Sequence, residues 1–119
     1  MSTDAIAKKL AAYCKGNEFE KAQKELYADN AISIEPDESA GFDKETKGLV
    51  AINKKIHQFM ERVEKSYGTT VSEIAVAGNS FSFKLDMDIQ MKGQERMTMS
   101  EICVYTVKDG KIILEQFFW

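Results

Sequence analysis

The sequence is poor in several residue types that mark specialised classes of protein. It has one proline, one histidine and two cysteines among 119 residues, and it has no long uninterrupted apolar run. Asp4, Lys8 and Lys9 fall within the first ten residues, so neither a signal peptide nor a membrane span is expected and a cytoplasmic location is the default. Cys14 and Cys103 lie far apart without metal-type spacing, which favours two free thiols.

Charge is also nearly balanced. The formal net charge is -3, and the basic residues are interspersed with acidic ones. Because nothing concentrates positive charge against a phosphate backbone, no nucleic-acid partner is expected. The single histidine, His57, has no second ligand at matching spacing, so no metal site is expected. No phosphate loop, dinucleotide fingerprint or Ser-His-Asp set is present, and no cofactor is expected.

A chain of this length that is 44% hydrophobic is predicted to form one domain, residues 1–119. Its C-terminal half carries the strongest pattern. From Ser80 to Met91 polar and apolar residues alternate without a break, which predicts one strand with a buried and a wet face. Further strands are predicted over Val71–Val76, Glu95–Val107 and Lys111–Phe118.

The turn Lys108-Asp109-Gly110 decides the register of the last two strands. A two-residue turn would place Lys108 directly opposite Lys111, a like-charge pair that sheets disfavour. A three-residue loop with Gly110 left-handed is therefore expected; it would pair Val107 with Lys111 and bring Glu115 opposite Cys103.

The N-terminal half carries the helical patterns. Ser2-Thr3-Asp4 can cap a helix that Gly16 ends, and Asn17 with Glu20 resembles a capping box for a second helix. The apolar faces of these two helices are Ile6, Leu10, Tyr13 and Cys14, then Phe19, Ala22, Leu26 and Tyr27. A third helix is predicted from Leu49 to about Glu64, with an apolar stripe of Leu49, Ile52, Ile56, Phe59, Met60 and Val63.

A short strand over Ala31–Glu35 and an acidic loop over Asp37–Thr46 separate the second and third helices. Phe42 in this loop could cover a cavity, or it could be an exposed loop aromatic. The last two long strands carry apolar residues on both faces, as with Ile102 and Val104 beside the Met97–Val107 series. Three helices cannot cover both sides of such a sheet, so a homodimer packed sheet against sheet is expected.

The order of these elements resembles the cone-shaped fold of nuclear transport factor 2-like proteins, and in particular its SnoaL-like polyketide cyclase and ketosteroid isomerase branch. The matching segments are Tyr13, Leu26–Ala31, Ile34–Pro36, Gly48 with Ile52, Asp109–Ile112 and Phe117–Trp119. The resemblance covers nearly the whole chain. It implies an α+β fold in which three helices pack on a strongly curved, mostly antiparallel sheet.

The resemblance also implies functional positions. Glu35, immediately before a proline at the end of the first strand, matches the general base, and Tyr13 matches the phenolic hydrogen-bond donor. The second oxyanion donor, a protonated aspartic acid in the isomerases, falls at Cys103. A thiol is a poor donor, so half of that oxyanion hole is missing. A strand-end acid in water is the alternative interpretation of Glu35.

Glu101 is singled out by the pattern itself. It interrupts an apolar series, so its carboxyl points where its neighbours are buried and must be paired, protonated or hydrogen-bonded. It is either a polar anchor for a ligand or a structural acid satisfied by Tyr13, Arg96 or Lys55. His57 and the pair Asp86 and Asp88 are interpreted as solvent-facing.

Two functions follow from this pattern. The first is a small-molecule pocket, with Glu35, Tyr13 and Glu101 acting in proton transfer on an apolar carbonyl compound. Its ligand-binding residues would be Met87, Met97, Met99, Cys103, Phe117 and Trp119. The second is a non-catalytic binding or association module whose cone is filled by its own aromatic side chains. Peptide recognition is a third possibility that no residue specifically supports.

Overall fold

Three helices pack on one face of a seven-stranded curved sheet in the computed structural model, which describes residues 1–119. The helices are α1 (Thr3–Lys15), α2 (Phe19–Leu26) and α3 (Leu49–Glu61). The strands are β1 (Tyr27–Ile34), β2 (Glu45–Lys47), β3 (Val63–Val71), β4 (Ala75–Ala77), β5 (Ser80–Met91), β6 (Arg96–Lys108) and β7 (Lys111–Phe118). This architecture confirms the predicted α+β fold.

The strand order is β2-β1-β7-β6-β5-β3, with β4 paired to β5. Only β1 and β7 run parallel, and every other pair is antiparallel. The longest pairing, β5 with β6, extends from Ser80 opposite Thr106 to Gln90 opposite Arg96. The last strand of the chain therefore lies in the interior of the sheet, between the first strand and the long β5–β6 ribbon.

The long alternating strand is confirmed as β5. Its odd-numbered residues from Phe81 to Ile89 are buried, and its even-numbered residues face outward. The ring of Phe81 stacks on that of Tyr105 in β6 at a centroid distance of 4.9 Å. The helices complete this core with Ile6, Leu10, Leu26 and Ile52. Burial of a continuous apolar layer from both halves of the chain stabilises the fold.

The first helix begins and ends as predicted, but the cap of the second differs. Ser2 Oγ accepts a hydrogen bond from the Ala5 amide, and Gly16 ends α1. Asn17 does not cap α2, which begins at Phe19 without a side-chain cap. Asn17 adopts a left-handed φ of 57°, and its amide bonds to Ser66 and Thr69 of β3. The predicted capping box is therefore wrong because this side chain joins the helical hairpin to the sheet.

Several element boundaries also differ from the prediction, and the strand expected over Val71–Val76 is divided between the end of β3 and β4. β1 begins at Tyr27, which was assigned to the apolar face of α2. α3 ends at Glu61, and Val63–Val71 then forms β3. This strand was not predicted because most of its residues are exposed and two register shifts interrupt its pairing with β5. An edge strand without a buried face leaves little periodicity in the sequence.

The predicted register between β6 and β7 is wrong. Asp109 and Gly110 both have positive φ, 52° and 75°, and form a two-residue turn that places Lys108 opposite Lys111. Both lysines are exposed, so solvent screens their repulsion. Ile112 pairs with Val107 and Leu114 with Thr106, which leaves Ile113 as a bulge. Beyond the bulge Glu115 lies opposite Tyr105, not Cys103.

The bulge explains why two residues of β7 that lie three positions apart, Ile112 and Glu115, are both buried. In a regular strand, residues 112 and 115 would point to opposite faces. The extra residue reverses the parity, so both Ile112 and Glu115 are buried on the inner face, with exposures of 0% and 2%. The bulge therefore carries an acidic side chain into the interior.

The outer face of the sheet has no helical cover. Ile102 and Phe118 pair across β6 and β7 on this face and are 52% and 50% exposed. Val104 and Leu114 lie beside them, partly exposed. None of the helices is long and apolar enough to cross a lipid bilayer.

Candidate functional site

A cavity of about 390 Å³ lies between the helices and the inner face of the sheet. Most of its wall is apolar, with contributions from α1, α2, α3 and strands β5 to β7. Its apolar and aromatic lining includes Leu10, Phe19, Phe42, Ile56, Phe59, Leu85, Met87, Met99, Phe117 and Trp119. Three carboxyl groups and one ammonium group also line the cavity; they belong to Glu35, Glu101, Glu115 and Lys55.

The ammonium of Lys55 joins α3 to the end of β1. Its Nζ donates to Ser33 Oγ at 2.6 Å and to Glu35 Oε1 at 2.9 Å. Both side chains of the ion pair are largely buried, with 11% and 8% exposed. The backbone of Glu35 is fixed too, because its N–H donates to the Lys44 carbonyl at 2.7 Å. Glu35 is therefore held in a defined position by a charged partner.

Glu115 is placed by the β7 bulge beside Ser33, its register partner in β1. The buried hydroxyl of Tyr27 donates to Glu115 Oε1. Burial raises the pKa of Glu115, while the Lys55 ammonium and the hydrogen bonds from Ser33 and Tyr27 act in the opposite direction. Burial also raises the pKa of Tyr27, so its hydroxyl stays protonated and serves as a donor.

Glu101 lies on the inner face of β6, and its partner is weak. The one side-chain hydrogen bond at its carboxyl comes from the Cys103 thiol, at 3.7 Å. Desolvation raises the pKa of Glu101 to about 7, and the negative charges of Glu35 and Glu115 add to this effect. Near neutral pH this carboxyl is therefore present in both its protonated and its ionised form.

The structure brings together most of the residues that the sequence singled out. Glu35 and Glu101 line the cavity, as do Met87, Met99, Phe117 and Trp119. Two residues expected in the ligand-binding set do not line it. Met97 is 41% exposed near the start of β6, and Cys103 is fully buried behind the cavity wall.

The expectation for Tyr13 needs a correction. Its hydroxyl donates to Glu25 Oε2 of α2 at 3.0 Å, on the outside of the helical hairpin. The next residue, Cys14, lines the cavity instead. Consecutive residues of an α-helix are rotated by about 100° about the helix axis, so Tyr13 is turned away from the site. The phenols that line the cavity are those of Tyr105 and Tyr27, and the sequence pattern placed Tyr27 in the wrong element.

The partners considered for Glu101 are all engaged elsewhere. Arg96 pairs with Asp88 on the outer face at 2.8 Å, Tyr13 with Glu25, and Lys55 with Glu35. Lys55 itself was missed as a site residue, although a signal existed. It follows Ile52 by three positions and precedes Phe59 by four, so it lies on the face of α3 that points inward.

The loop between β1 and β2 closes one side of the cavity. Ser39, Ala40 and Phe42 contribute to the wall. The Arg62 guanidinium lies 4.5 Å from the centroid of the Phe42 ring, and its Nη1 donates to the Ala40 carbonyl at 3.0 Å. Arg62, at the end of α3, therefore holds Phe42 in the cavity wall.

No group of three or more His, Cys, Asp or Glu side chains is placed to hold a metal ion. The chain's own groups offer acid–base chemistry in the cavity. An acid that titrates near neutral pH, an ion pair and a phenol-bonded carboxyl face a largely apolar space. Such a site can bind an apolar molecule with a few polar atoms and exchange a proton with it.

Comparison with known proteins gives a match over the whole chain. A sequence model of the SnoaL-like domain matches residues 1–119. A candidate SnoaL-like polyketide cyclase from Mesorhizobium loti, also described as a carbohydrate phosphatase, is 31% identical, with 100% of both chains covered and a TM-score of 0.90. No curated protein matches the chain significantly.

More distant solved structures share the fold. A candidate isomerase from Bacillus subtilis is 21% identical, with 100% of this chain and 89% of that chain covered and a TM-score of 0.80. A protein from Catenulispora acidiphila with a ketosteroid isomerase-like fold, solved with trimethylamine, is 14% identical, with 99% and 87% covered and a TM-score of 0.77.

Proposed function

Because the chain belongs to the SnoaL-like family, we propose that it binds a small apolar carbonyl compound in its cavity and transfers a proton on that compound. The observation that carries this proposal is the carboxyl of Glu101. It faces an apolar cavity, has one weak hydrogen-bond partner and has a pKa of about 7. A general base is most effective when its pKa lies near the working pH.

The proton transfer begins with the ionised form of Glu101. Its carboxylate removes a proton from the carbon beside the carbonyl, and the electron pair of the C–H bond moves toward the carbonyl oxygen. The protonated Glu101 can then return the proton to the same carbon or to a conjugated one. If the carboxyl proton of Glu101 first exchanges with solvent, return to the same carbon replaces that hydrogen by one from solvent. Return to a different carbon isomerises the compound.

The cavity wall supports an apolar, flat ligand. Met87 and Met99 offer adaptable side chains, and Phe117 and Trp119 offer aromatic surface. Glu35 stays the second candidate for the base, since its carboxylate lines the same cavity. One of its oxygens already accepts a hydrogen bond from Lys55, so Glu101 is the freer group.

The test uses 2-tetralone, a flat ketone with acidic protons beside its carbonyl. Wild-type protein is expected to accelerate the exchange of these protons for deuterium, followed by proton NMR, with a rate that rises as Glu101 ionises through about pH 7. Glu101→Gln is expected to reduce the protein-dependent rate by about a hundredfold or more. Glu73→Gln, an exposed acid outside the cavity, is the matched control.

An unchanged exchange rate in Glu101→Gln would show that this carboxyl is not the proton carrier.

A non-catalytic binding role is the alternative function. The ion pair of Glu35 with Lys55, whose ammonium also donates to Ser33, favours it, because a carboxylate held by a cation is a weaker base. In that case 2-tetralone would bind to the protein without accelerated exchange.

A further inference from the structure

The ammonium of Lys55 has one hydrogen more than its protein partners use. An ammonium group carries three N–H donors in a tetrahedral arrangement. Two are directed to Ser33 Oγ and Glu35 Oε1. No third acceptor of the protein lies within hydrogen-bond distance, and Lys55 lines the cavity with its Nζ 5.7 Å from the Phe117 ring centroid. The third N–H is therefore available to a bound molecule.

The other polar donors of the cavity are neutral groups. The Tyr27 hydroxyl is committed to Glu115, and the Tyr105 hydroxyl and the Gln23 amide, which also line the cavity, carry no positive charge. Trp119 can donate from its indole, but its side chain is half exposed at the chain end. Lys55 is largely buried, and its positive charge acts on both Glu101 and Glu115. It therefore lies near the groups that would handle the proton.

We propose that the third N–H of Lys55 binds the carbonyl oxygen of the ligand and stabilises the negative charge that forms there. The inference rests on the proposed function. When Glu101 takes the proton, the C–H bond breaks, its electron pair forms a carbon–carbon double bond, and the carbonyl oxygen becomes an enolate oxygen. The negative charge moves from Glu101 to that oxygen, and the total charge of the cavity is unchanged.

The Coulomb interaction makes this position effective. A donor that is fixed before the reaction and shielded from water stabilises developing charge more than a solvent-exposed donor does. Ser33 and Glu35 fix the ammonium in place, so it need not reorganise when the charge appears.

The positions of Lys55 and Glu101 also define the ligand class: a ketone or aldehyde with a C–H beside the carbonyl, on an otherwise apolar body. A ligand with a cationic group at this end is disfavoured by repulsion.

The test measures the carbonyl stretching frequency of bound 2-tetralone by isotope-edited infrared difference spectroscopy. A hydrogen bond from an ammonium is expected to shift this band to lower frequency in the wild-type protein. The shift is expected to disappear in Lys55→Met and to persist in Lys54→Met, whose lysine is exposed on the same helix. The exchange rate of Lys55→Met is expected to fall by about a hundredfold.

Lys55→Met leaves the Glu35 carboxylate buried without its cation, which destabilises the protein. The double variant Lys55→Met with Glu35→Gln removes both charges of the ion pair, so the summed charge of the two positions stays at zero. Glu35→Gln alone retains the ammonium. The shift is expected to persist in Glu35→Gln and to be absent in the double variant.

The outcomes separate the two proposals. Binding of 2-tetralone with a shift that is unchanged in the double variant would overturn the assignment of Lys55 and leave the proposed function standing. A shift that depends on Lys55, with no accelerated exchange, would support the oxygen site and contradict proton transfer. No binding up to the solubility limit of 2-tetralone would overturn both.

Discussion

Three carboxyl groups in one cavity differ because each has different neighbours. Glu35 has an ammonium partner, Glu115 has a phenol and a serine hydroxyl, and Glu101 has a thiol. The same side chain thus appears as an ion-pair member, a buried hydrogen-bonded acid and a group that titrates near neutral pH. All three residues are glutamates, so the side-chain type does not distinguish these roles. The neighbouring groups of each carboxyl distinguish them.

The raised pKa of Glu101 makes the stability of the protein depend on pH. The pKa is about 7 in the folded chain against an ordinary value of 4.5. Between these two pH values the folded state binds more protons than the unfolded state, so stability falls as the pH rises, in total by about 3 kcal/mol from this group. Glu101→Gln is expected to remove this loss, which urea unfolding on either side of that range would measure.

The expected result is a variant that is close to the wild type in stability at acidic pH and more stable than it at alkaline pH. The exposed Glu73→Gln should show no such pH-dependent gain. An equal stability difference at both pH values would mean that the carboxyl of Glu101 is not desolvated in the folded protein.

At the scale of elements, the sequence predicted strands with strong periodicity and missed those without it. β5 was predicted from its unbroken alternation, because alternating burial leaves a pattern in the sequence, and β7 was predicted with its bounds because the Asp109-Gly110 turn marks its start. β3 was missed because its exposed residues leave none. The β6–β7 register was missed because a like-charge pair at an exposed turn costs little and a bulge has no fixed sequence signature.

The same reasons decided how much of the site could be predicted. Glu101 stood out because it breaks an apolar series on a strand that was assigned correctly. Tyr13 was misplaced because the resemblance assigned the phenolic donor to it. Consecutive residues of a helix differ by a rotation of about 100°, and the neighbouring Cys14 faces the cavity instead. Tyr27 was missed because its helix ends one residue earlier than predicted. Lys55 was missed because a lysine on an apolar stripe is usually directed to solvent.

His57 links two helices in a manner that depends on pH. Its Nδ1 lies 2.6 Å from Glu20 of α2, and its Nε2 lies 2.7 Å from Glu61 of α3. The hydrogen bond to Glu20 and the charges of both acids raise the pKa of His57 above its ordinary value of 6.5. The stabilisation is therefore fully present below about pH 6.5 and is lost as the pH rises through the raised pKa.

His57→Gln is expected to lower the thermal midpoint of unfolding at mildly acidic pH and to have little effect at alkaline pH. Glu20→Gln should give a similar pH-dependent loss because it removes the same interaction. If the two substitutions lowered the midpoint equally at all pH values, the link between α2 and α3 would not involve a charged histidine.

At the scale of the whole molecule, the outer sheet face carries the expectation of a homodimer. Ile102 and Phe118 are paired neighbours on this face and remain about half exposed in the single chain. Contiguous apolar surface of this kind is typical of association sites. We expect a dimer in light-scattering measurements at micromolar concentrations.

Ile102→Lys is expected to shift the molecular mass toward that of a single chain, because it places a charge at the centre of the proposed contact. Val50→Lys is the matched control, since Val50 is 86% exposed on α3 and away from the sheet. A wild-type protein that is monomeric under these conditions would exclude the sheet-to-sheet dimer.

The position of β7 between β1 and β6 bears on the folding kinetics. Tyr27 pairs with Ile112 across most of the length of the chain, so β1 and β7 meet only after a long loop has closed. A local hairpin such as β5–β6 can form before this loop closes. The strand β7, which carries Glu115, takes its place between β1 and β6 only after the loop has closed. Contacts of such large sequence separation slow the folding transition. We therefore expect the cavity to be assembled late in folding, so that Glu101 and Glu115 acquire their raised pKa values only in the final, cooperative step.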